Sequence, residues 1–349
     1  MSWQLKDEVR KGRSKCATSR MRSMMSEEDQ QINSKPKPSK PLVVIVGPTA
    51  VGKTELSLQL AERLGGEIIS ADSRLFYRYM DIGTAKPALV ERERVVHHLI
   101  DVSDPDQTWS LAMFQEAARR AICDIHRGGC LPFLVGGTGQ YIRAVIEEWD
   151  IPKVKPDPRL RQSLENWVAE IGPSALHDRL AVVDPQAAQS IDSRNIRRTI
   201  RALEVILTSG KRFSSQVGKK VSPYDLLQVG LIRPRDQLYQ RIDERIRGML
   251  EAGLIEEVQR LLDRGYSPNL PTMTAIGYGE IVAYLQGEMS LAEAVTLIKR
   301  RTRIFVRRQA NWFKRDDVNI HWFDLDQYSS QQESLTEIEA LIQAWLHGE

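Results

Sequence analysis

Cysteine is scarce: Cys16, Cys123 and Cys130 are the three in 349 residues. They form no C-x-x-C pair and no histidine cluster stands at zinc spacing. A disulfide framework and a structural zinc site are therefore not expected, and a reducing, cytoplasmic setting fits. No apolar run approaches the roughly 18 residues of a membrane span, so no membrane role is expected. No internal repeat is present. Excess charge is also lacking: 49 Lys+Arg against 46 Asp+Glu leave a formal +3, so a nucleic-acid footprint has to be a local patch. What remains is the composition of a globular chain, 42% hydrophobic and 27% charged. Its length suits one large α/β domain with an insertion, or two domains.

Residues 1–40 stand apart. They are rich in Lys, Arg, Ser and Met and close on Lys35-Pro-Lys-Pro-Ser-Lys40. No apolar segment follows the basic residues, which argues against a secretory signal, and Asp7, Glu8, Glu27, Glu28 and Asp29 argue against an organelle transit peptide. A disordered basic tail, or an over-long start, is the expectation.

The most informative stretch is Pro41-Leu-Val-Val-Ile-Val-Gly-Pro-Thr-Ala-Val-Gly-Lys-Thr54, an apolar strand running into G-x-x-x-x-G-K-T. Such a loop turns successive N–H groups of Gly47, Pro48, Thr49, Ala50, Val51 and Gly52 (proline contributing only its carbonyl) around a phosphate. Lys53 adds a point charge and Thr54 a hydroxyl for Mg²⁺, the one metal this sequence predicts. Glu55–Leu64 has helical periodicity, so a helix N-terminus adds its positive dipole at the anion site. The loop specifies a di- or triphosphate, not which one.

Short apolar runs then alternate with helical stretches. Leu42–Val46, Glu67–Ser70, His98–Val102 and Leu131–Val135 read as strands, with helices over 55–64 and 111–127. This rhythm predicts an α/β fold: a P-loop NTPase-like parallel sheet covered by helices, with a helical insertion domain. Ligands on such sheets sit at the carboxyl ends of strands, so the P-loop, Asp72-Ser73 and Gly136-Gly137-Thr138 should rim one crevice. The rhythm breaks at Ile151-Pro-Lys-Val-Lys-Pro-Asp-Pro158. The expected organisation is a first core part over 41–150, a helical insertion over 151–215, a second and largely helical core part over 216–325, and a C-terminal helix over 326–349. A further strand is expected at Leu226–Ile232, and helices at roughly 236–263, 277–286 and 290–315, the last opened by a Ser290/Glu293 capping box.

Asp72, at a strand's carboxyl end facing the phosphate loop, is placed either to hold Mg²⁺ or to take a proton. As an isolated Asp it reads equally as a cap on the next turn.

The larger set of motifs is more specific: G-P-T-A-x-G-K-T at 47–54, A-D-S-R-x-x-Y-R-x-M-D-I-G-T-A-K-P at 71–87, and L-V-G-G-T-G-x-Y-I-x-A at 134–144. Arg201-Ala-Leu-Glu204, Leu238–Arg245, Ala275-Ile-Gly-Tyr278 and Thr302-Arg303…Arg307-Arg-Gln-Ala-Asn-Trp-Phe313 follow. In this order, over about 41 to 325, they resemble the tRNA dimethylallyltransferases. The resemblance implies transfer of a dimethylallyl group from dimethylallyl diphosphate to N6 of adenosine 37, immediately 3′ of the anticodon, in tRNAs reading codons that begin with U. It implies Asp72 as the base, Arg245 as a catalytic arginine, and Thr138 as a residue near the target nucleotide. It also implies tRNA contacts from Asp72, Ser73, Arg74, Leu75 and Thr138. The partner is then the tRNA anticodon stem-loop, and a monomer is expected. Gly279 stands where the family often has a basic residue, and no Cys/His module follows the core.

Two basic stretches suit an RNA partner. Arg194, Arg197, Arg198 and Arg201 share one helix face by spacing, and Arg300 and Arg303 lie in a second arginine-rich helix. Of these, Arg197, Arg198, Arg201, Arg300 and Arg303 are the expected tRNA contacts, against the alternative of solvated charged faces. Three rival functions share part of this evidence: a P-loop small-molecule kinase, an isopentenyl transferase acting on free adenine nucleotides (adenylate isopentenyltransferase), and a non-catalytic RNA-binding module.

Overall fold

The computed structural model describes residues 38–349, so the expected basic tail falls almost wholly outside the described residues. Its last two, Ser39 and Lys40, are tied down: both backbone N–H groups donate to Asp225 Oδ2, at 2.7 and 3.2 Å.

The elements follow in the order β1 (Pro41–Val46), α1 (Lys53–Leu64), β2 (Gly66–Ser70), α2 (Leu89–Arg94), β3 (His97–His98), α3 (Leu111–Arg127), β4 (Leu131–Gly136) and α4 (Gly139–Ile146). Then come α5 (Pro158–Ile171), α6 (Pro173–Val183), α7 (Pro185–Ser190), α8 (Ile196–Ser209), β5 (Asp225–Ile232), α9 (Arg235–Glu251) and α10 (Leu254–Asp263). The chain closes with α11 (Tyr278–Leu285), α12 (Leu291–Gln309), β6 (Ile320–Asp324) and α13 (Gln331–His347).

All six strands form one parallel sheet in the order β3-β2-β4-β1-β5-β6. The Val/Ile/Leu runs are continuous because both faces are covered: Leu42 through Val46 are fully buried, as a doubly covered parallel strand requires. Register places the functional turns together. Val46 pairs with Gly136 and Ser70 with Val135, so β1, β2 and β4 end at one level and their following turns share one edge.

Three expectations need correction. The strand expected over His98–Val102 is only His97–His98, because Leu99 and Asp101 adopt positive φ of 62° and 56° and leave extended conformation. The helix expected over 236–263 is two helices, α9 and α10, broken where Gly253 takes φ 95°. Strand β6 was not anticipated; Ile320–Asp324 is short and gains its identity by pairing with β5. The Ser290 capping box does form, Ser290 accepting from Glu293 N–H while Glu293 returns the bond at 2.8 Å.

The chain folds as two compact units, one running to Ile142 and resuming over Pro223–Glu349, the other Arg143–Ser222. The second begins and ends outside the expected 151–215. It is helical, with its own core of Leu164, Leu176, Leu180, Ile191, Ile200, Leu203 and Phe213. Glu204 sits at its centre, its side chain fully buried between Arg161 (2.8 Å) and Arg201 (2.7 Å) and accepting the Asp157 N–H at 2.9 Å. Burial pushes its carboxyl up, but these bonds outweigh that and hold it below the usual range.

Candidate active site

The site grows from the β1–α1 turn. Gly47 (φ 152°) has to lack a side chain, since a Cβ there would stand 2.6 Å from the Leu231 carbonyl oxygen. Ala50 takes a left-handed φ of 68°, a costly conformation for a residue with a Cβ. Its carbonyl accepts from Arg241 Nε at 2.7 Å. The first N–H groups of α1 have no intrahelical acceptor and carry the positive end of the helix dipole. Lys53 folds back over the loop, donating to the Gly47 and Pro48 carbonyls at 2.9 and 2.8 Å. Desolvation pulls its ammonium down to about 8, opposed by the charge of Asp72 and reinforced by that of Arg245.

Asp72 follows β2. Its Oδ1 accepts the Arg74 N–H at 3.0 Å, so the turn-capping reading is realised at one oxygen while the other accepts no bond among the described residues. Arg245, one helical turn after Arg241 on α9, donates from Nη2 to the Thr84 carbonyl at 3.3 Å. Burial depresses its pKa and the Asp72 charge opposes that shift; guanidinium remains charged under any such pressure.

These groups line one cavity of about 430 Å³. Thr49, Ala50, Gly52, Lys53 and Thr54 supply its phosphate-loop side. Asp72, Leu75 and Gly136 supply the strand ends, Thr84, Ala85 and Pro87 a wall, and Arg241, Glu244 and Arg245 the α9 side. Gly47 and Val51 lie buried behind the loop, and Pro48 serves through its carbonyl. Ser73, Arg74 and Thr138 are not among the lining residues. Arg74 is exposed, with Nη1 3.3 Å from the Pro271 carbonyl, and Thr138 stands just before α4, its carbonyl accepting from Tyr141 and Ile142 N–H.

Residues absent from the sequence expectations also belong here. His97 lines the cavity; its Nδ1 lies 2.8 Å from the Val95 carbonyl, which only accepts, so Nδ1 carries the proton and Nε2 remains an acceptor in the neutral ring. Burial lowers its pKa. Gln309, buried at the end of α12, accepts from Thr49 N–H (2.9 Å) and Thr49 Oγ1 (3.2 Å) and donates to the Gly137 carbonyl (3.1 Å). It ties the phosphate loop to the turn after β4. Nothing local marks either residue; the Gln lies in a quoted motif but its contacts are distant in sequence.

The arginine stretches divide by what they touch. Arg197 and Arg198 on α8 and Arg300 on α12 are exposed and make no ion pair among the described residues. Arg201 is committed to Glu204 and to the Val154 carbonyl. Arg303 holds both oxygens of Asp243, at 2.8 and 2.9 Å, and lies over the Tyr239 ring. Among the described residues no group of three His, Cys, Asp or Glu side chains could hold a metal alone, and no helix is long and apolar enough to cross a membrane.

The family model for IPP transferase matches residues 75–316. A tRNA dimethylallyltransferase of Thermomicrobium roseum is 51% identical over 288 residues, 82% of this chain and 87% of that protein. Another from Roseiflexus sp. is 50% identical over 306 residues, 88% of this chain and 99% of that protein. Among solved structures, the full-length tRNA isopentenylpyrophosphate transferase of Bacillus halodurans superposes with TM-score 0.66 at 45% identity, covering 88% of this chain and 97% of that one. A eukaryotic dimethylallyltransferase acting on tRNA superposes with TM-score 0.73 at 29% identity, covering 87% and 80%.

Proposed function

The chain belongs to the tRNA dimethylallyltransferase family, and on that premise we propose that it transfers a dimethylallyl group from dimethylallyl diphosphate to N6 of adenosine 37, the nucleotide 3′ of the anticodon, in tRNAs reading codons that begin with U. It does so as a monomer. The observation that carries this reading is the convergence of Asp72, Lys53 and Arg245 on one cavity beside the phosphate loop.

In the transfer, the C–O bond of the allylic diphosphate breaks as the N6–C bond forms, and pyrophosphate leaves with the electron pair. An adenine amine is a poor nucleophile because its lone pair is conjugated with the ring; as the N6–C bond forms the nitrogen becomes acidic, and the second carboxylate oxygen of Asp72 takes the proton it sheds. Negative charge grows on the departing oxygens, where the α1 amides, Lys53 and Arg245 oppose it in a partly dehydrated cavity. The target base lies in a single-stranded loop and has to leave its stack to reach Asp72.

Mg²⁺ suits this site. The Thr54 hydroxyl is a hard oxygen donor on the cavity; it would hold the ion, and, being far too little for a protein-only cage, would leave the rest of the shell to diphosphate oxygens and water. When bound, the ion supplies Lewis-acid stabilisation of the leaving pyrophosphate.

The kinase alternative is not favoured. Strand β4 ends in Gly136 rather than an Asp, and the carboxylate that could substitute, Asp101, is held by Lys86 (2.6 Å) and Arg92 (2.7 Å). Labelled dimethylallyl diphosphate, offered with tRNA, with AMP, or replaced by ATP plus small acceptors, separates the readings. Transfer to tRNA alone is expected. Asp72→Asn should leave tRNA affinity within a few-fold and lower turnover by about 10²–10⁴. Label appearing on AMP, ADP release, or undiminished turnover in Asp72→Asn would each refute the assignment.

A further inference from the structure

Glu257, on α10, is a buried carboxylate that the mechanism above does not use. It is 4% exposed, and no cation pairs with it among the described residues. Three consecutive backbone amides close on it instead: Asp81 N–H at 2.9 Å and Ile82 N–H at 2.8 Å on Oε2, and Gly83 N–H at 3.1 Å on Oε1. The Tyr278 hydroxyl adds a fourth bond to Oε1 at 2.6 Å. Successive N–H groups turned into one concavity make an anion nest, and here the anion is supplied by the protein.

A buried carboxylate without a counter-ion is expensive, and an apolar residue could fill the space. What the charge secures is a turn that lacks regular structure. Within it Thr84 Oγ1 donates to the Met80 carbonyl at 2.6 Å, Ala85 takes φ 47°, and the Lys86 ammonium is buried against the Tyr77 carbonyl at 2.9 Å. Gly83 lies so close to the Tyr278 ring that a Cβ would stand 2.5 Å from it. The next residue, Thr84, presents the carbonyl that receives Arg245 Nη2, and Thr84 and Ala85 form the cavity wall.

We propose that Glu257 is a positioning residue for the transfer step: its carboxylate clamps the Asp81–Gly83 turn and so fixes the Thr84 carbonyl that aims Arg245 at the leaving group. This rests on the role given to Arg245 above. Glu257 touches no substrate; it acts through the turn. Glu257→Gln keeps the volume but presents an amide donor to a ring of donors, so the turn shifts and Arg245 loses its aim. Misplacement on the ångström scale costs up to about a hundredfold in rate.

The test is a double-mutant cycle on the full chain, read as kcat and donor KM with tRNA saturating and with each variant's melting temperature measured in parallel. Glu257→Gln should lower kcat by about tenfold to a hundredfold with donor KM changed little. Combined with Arg245→Ala, it should add almost nothing to the loss from Arg245→Ala alone, since both remove one function. Tyr278→Phe, which removes a bond from the same carboxylate but leaves the three amides in place, should keep kcat near wild type. If Glu257→Gln does not fold, Glu257→Asp, shorter by one methylene and still charged, is read in the same cycle. Losses that multiply with that of Arg245→Ala, or a Tyr278→Phe variant as slow as Glu257→Gln, overturn the proposal and leave the Arg245 reading intact. Full turnover in Arg245→Ala overturns both.

Discussion

Lys53 makes donor binding pH-dependent in a range where most lysines are silent. Its ammonium is desolvated in the phosphate loop and titrates near 8, whereas in the unfolded chain it keeps its proton to about 10.5. A bound diphosphate restores a counter-charge and favours the protonated form, so the donor selects the protonated enzyme. The apparent Kd then rises as one plus the ratio of neutral to charged lysine. Between pH 7 and pH 9 that factor grows about tenfold, equivalent to about 1.4 kcal/mol. The donor's own terminal phosphate ionises near about 6 and contributes little in that window. Titration calorimetry of dimethylallyl diphosphate against wild type and Lys53→Arg, without added metal, separates the two cases: the arginine stays charged, so its curve should be flat from pH 7 to 9. Stability carries the same signature with opposite consequence. The folded state binds fewer protons than the unfolded between about 8 and 10.5, so this lysine destabilises the free protein below 8, and stability rises with pH through that window. Lys53→Met should therefore melt no lower than wild type at pH 7 while losing donor affinity. A flat wild-type profile, or equal slopes in wild type and Lys53→Arg, refutes the reasoning.

Two further outcomes test the rest of the chain. Replacing Arg197, Arg198 and Arg300 should weaken tRNA binding evenly across sequences and flatten the slope of log affinity against log salt by about 0.7–0.9 per contact, with dimethylallyl diphosphate affinity as the folding control; an unchanged slope would mean these side chains are only solvated. Glu204→Leu should destabilise by about 2–4 kcal/mol, below the full cost of breaking a buried pair because Arg161 and Arg201 reach solvent. In wild type the Glu204 contribution is present above its unfolded pKa near 4.5 and lost as pH falls through its lower folded value, so chemical denaturation of the variant should show a smaller loss on acidification.

What was legible in the sequence was what neighbouring residues decide among themselves. The β1–loop–α1 unit could be read because strand, turn glycines, lysine and helix are contiguous, and the Ser290 box because its two partners lie three residues apart. The covered parallel sheet followed from unbroken Val/Ile/Leu runs, which are stable only with both faces buried. The arginines of α8 and α12 could be seen, but not their fates. Arg201 and Arg303 meet Glu204 and Asp243, whereas Arg197, Arg198 and Arg300 meet solvent, and spacing alone does not distinguish them. The short strand β6 shows the same limit: five residues become a strand only when β5 offers a ladder. Asp72 and Arg245 lie in distant segments, as do Thr49 and Gln309, and Glu257 and the Asp81–Gly83 turn. Each pair meets because the common level at which β1, β2 and β4 end, and the packing of α9, α10 and α12, bring the groups together. A contact between residues far apart in sequence leaves no periodicity or turn signal at either end, so the residue types were present in the chain and their meeting belonged to the tertiary structure.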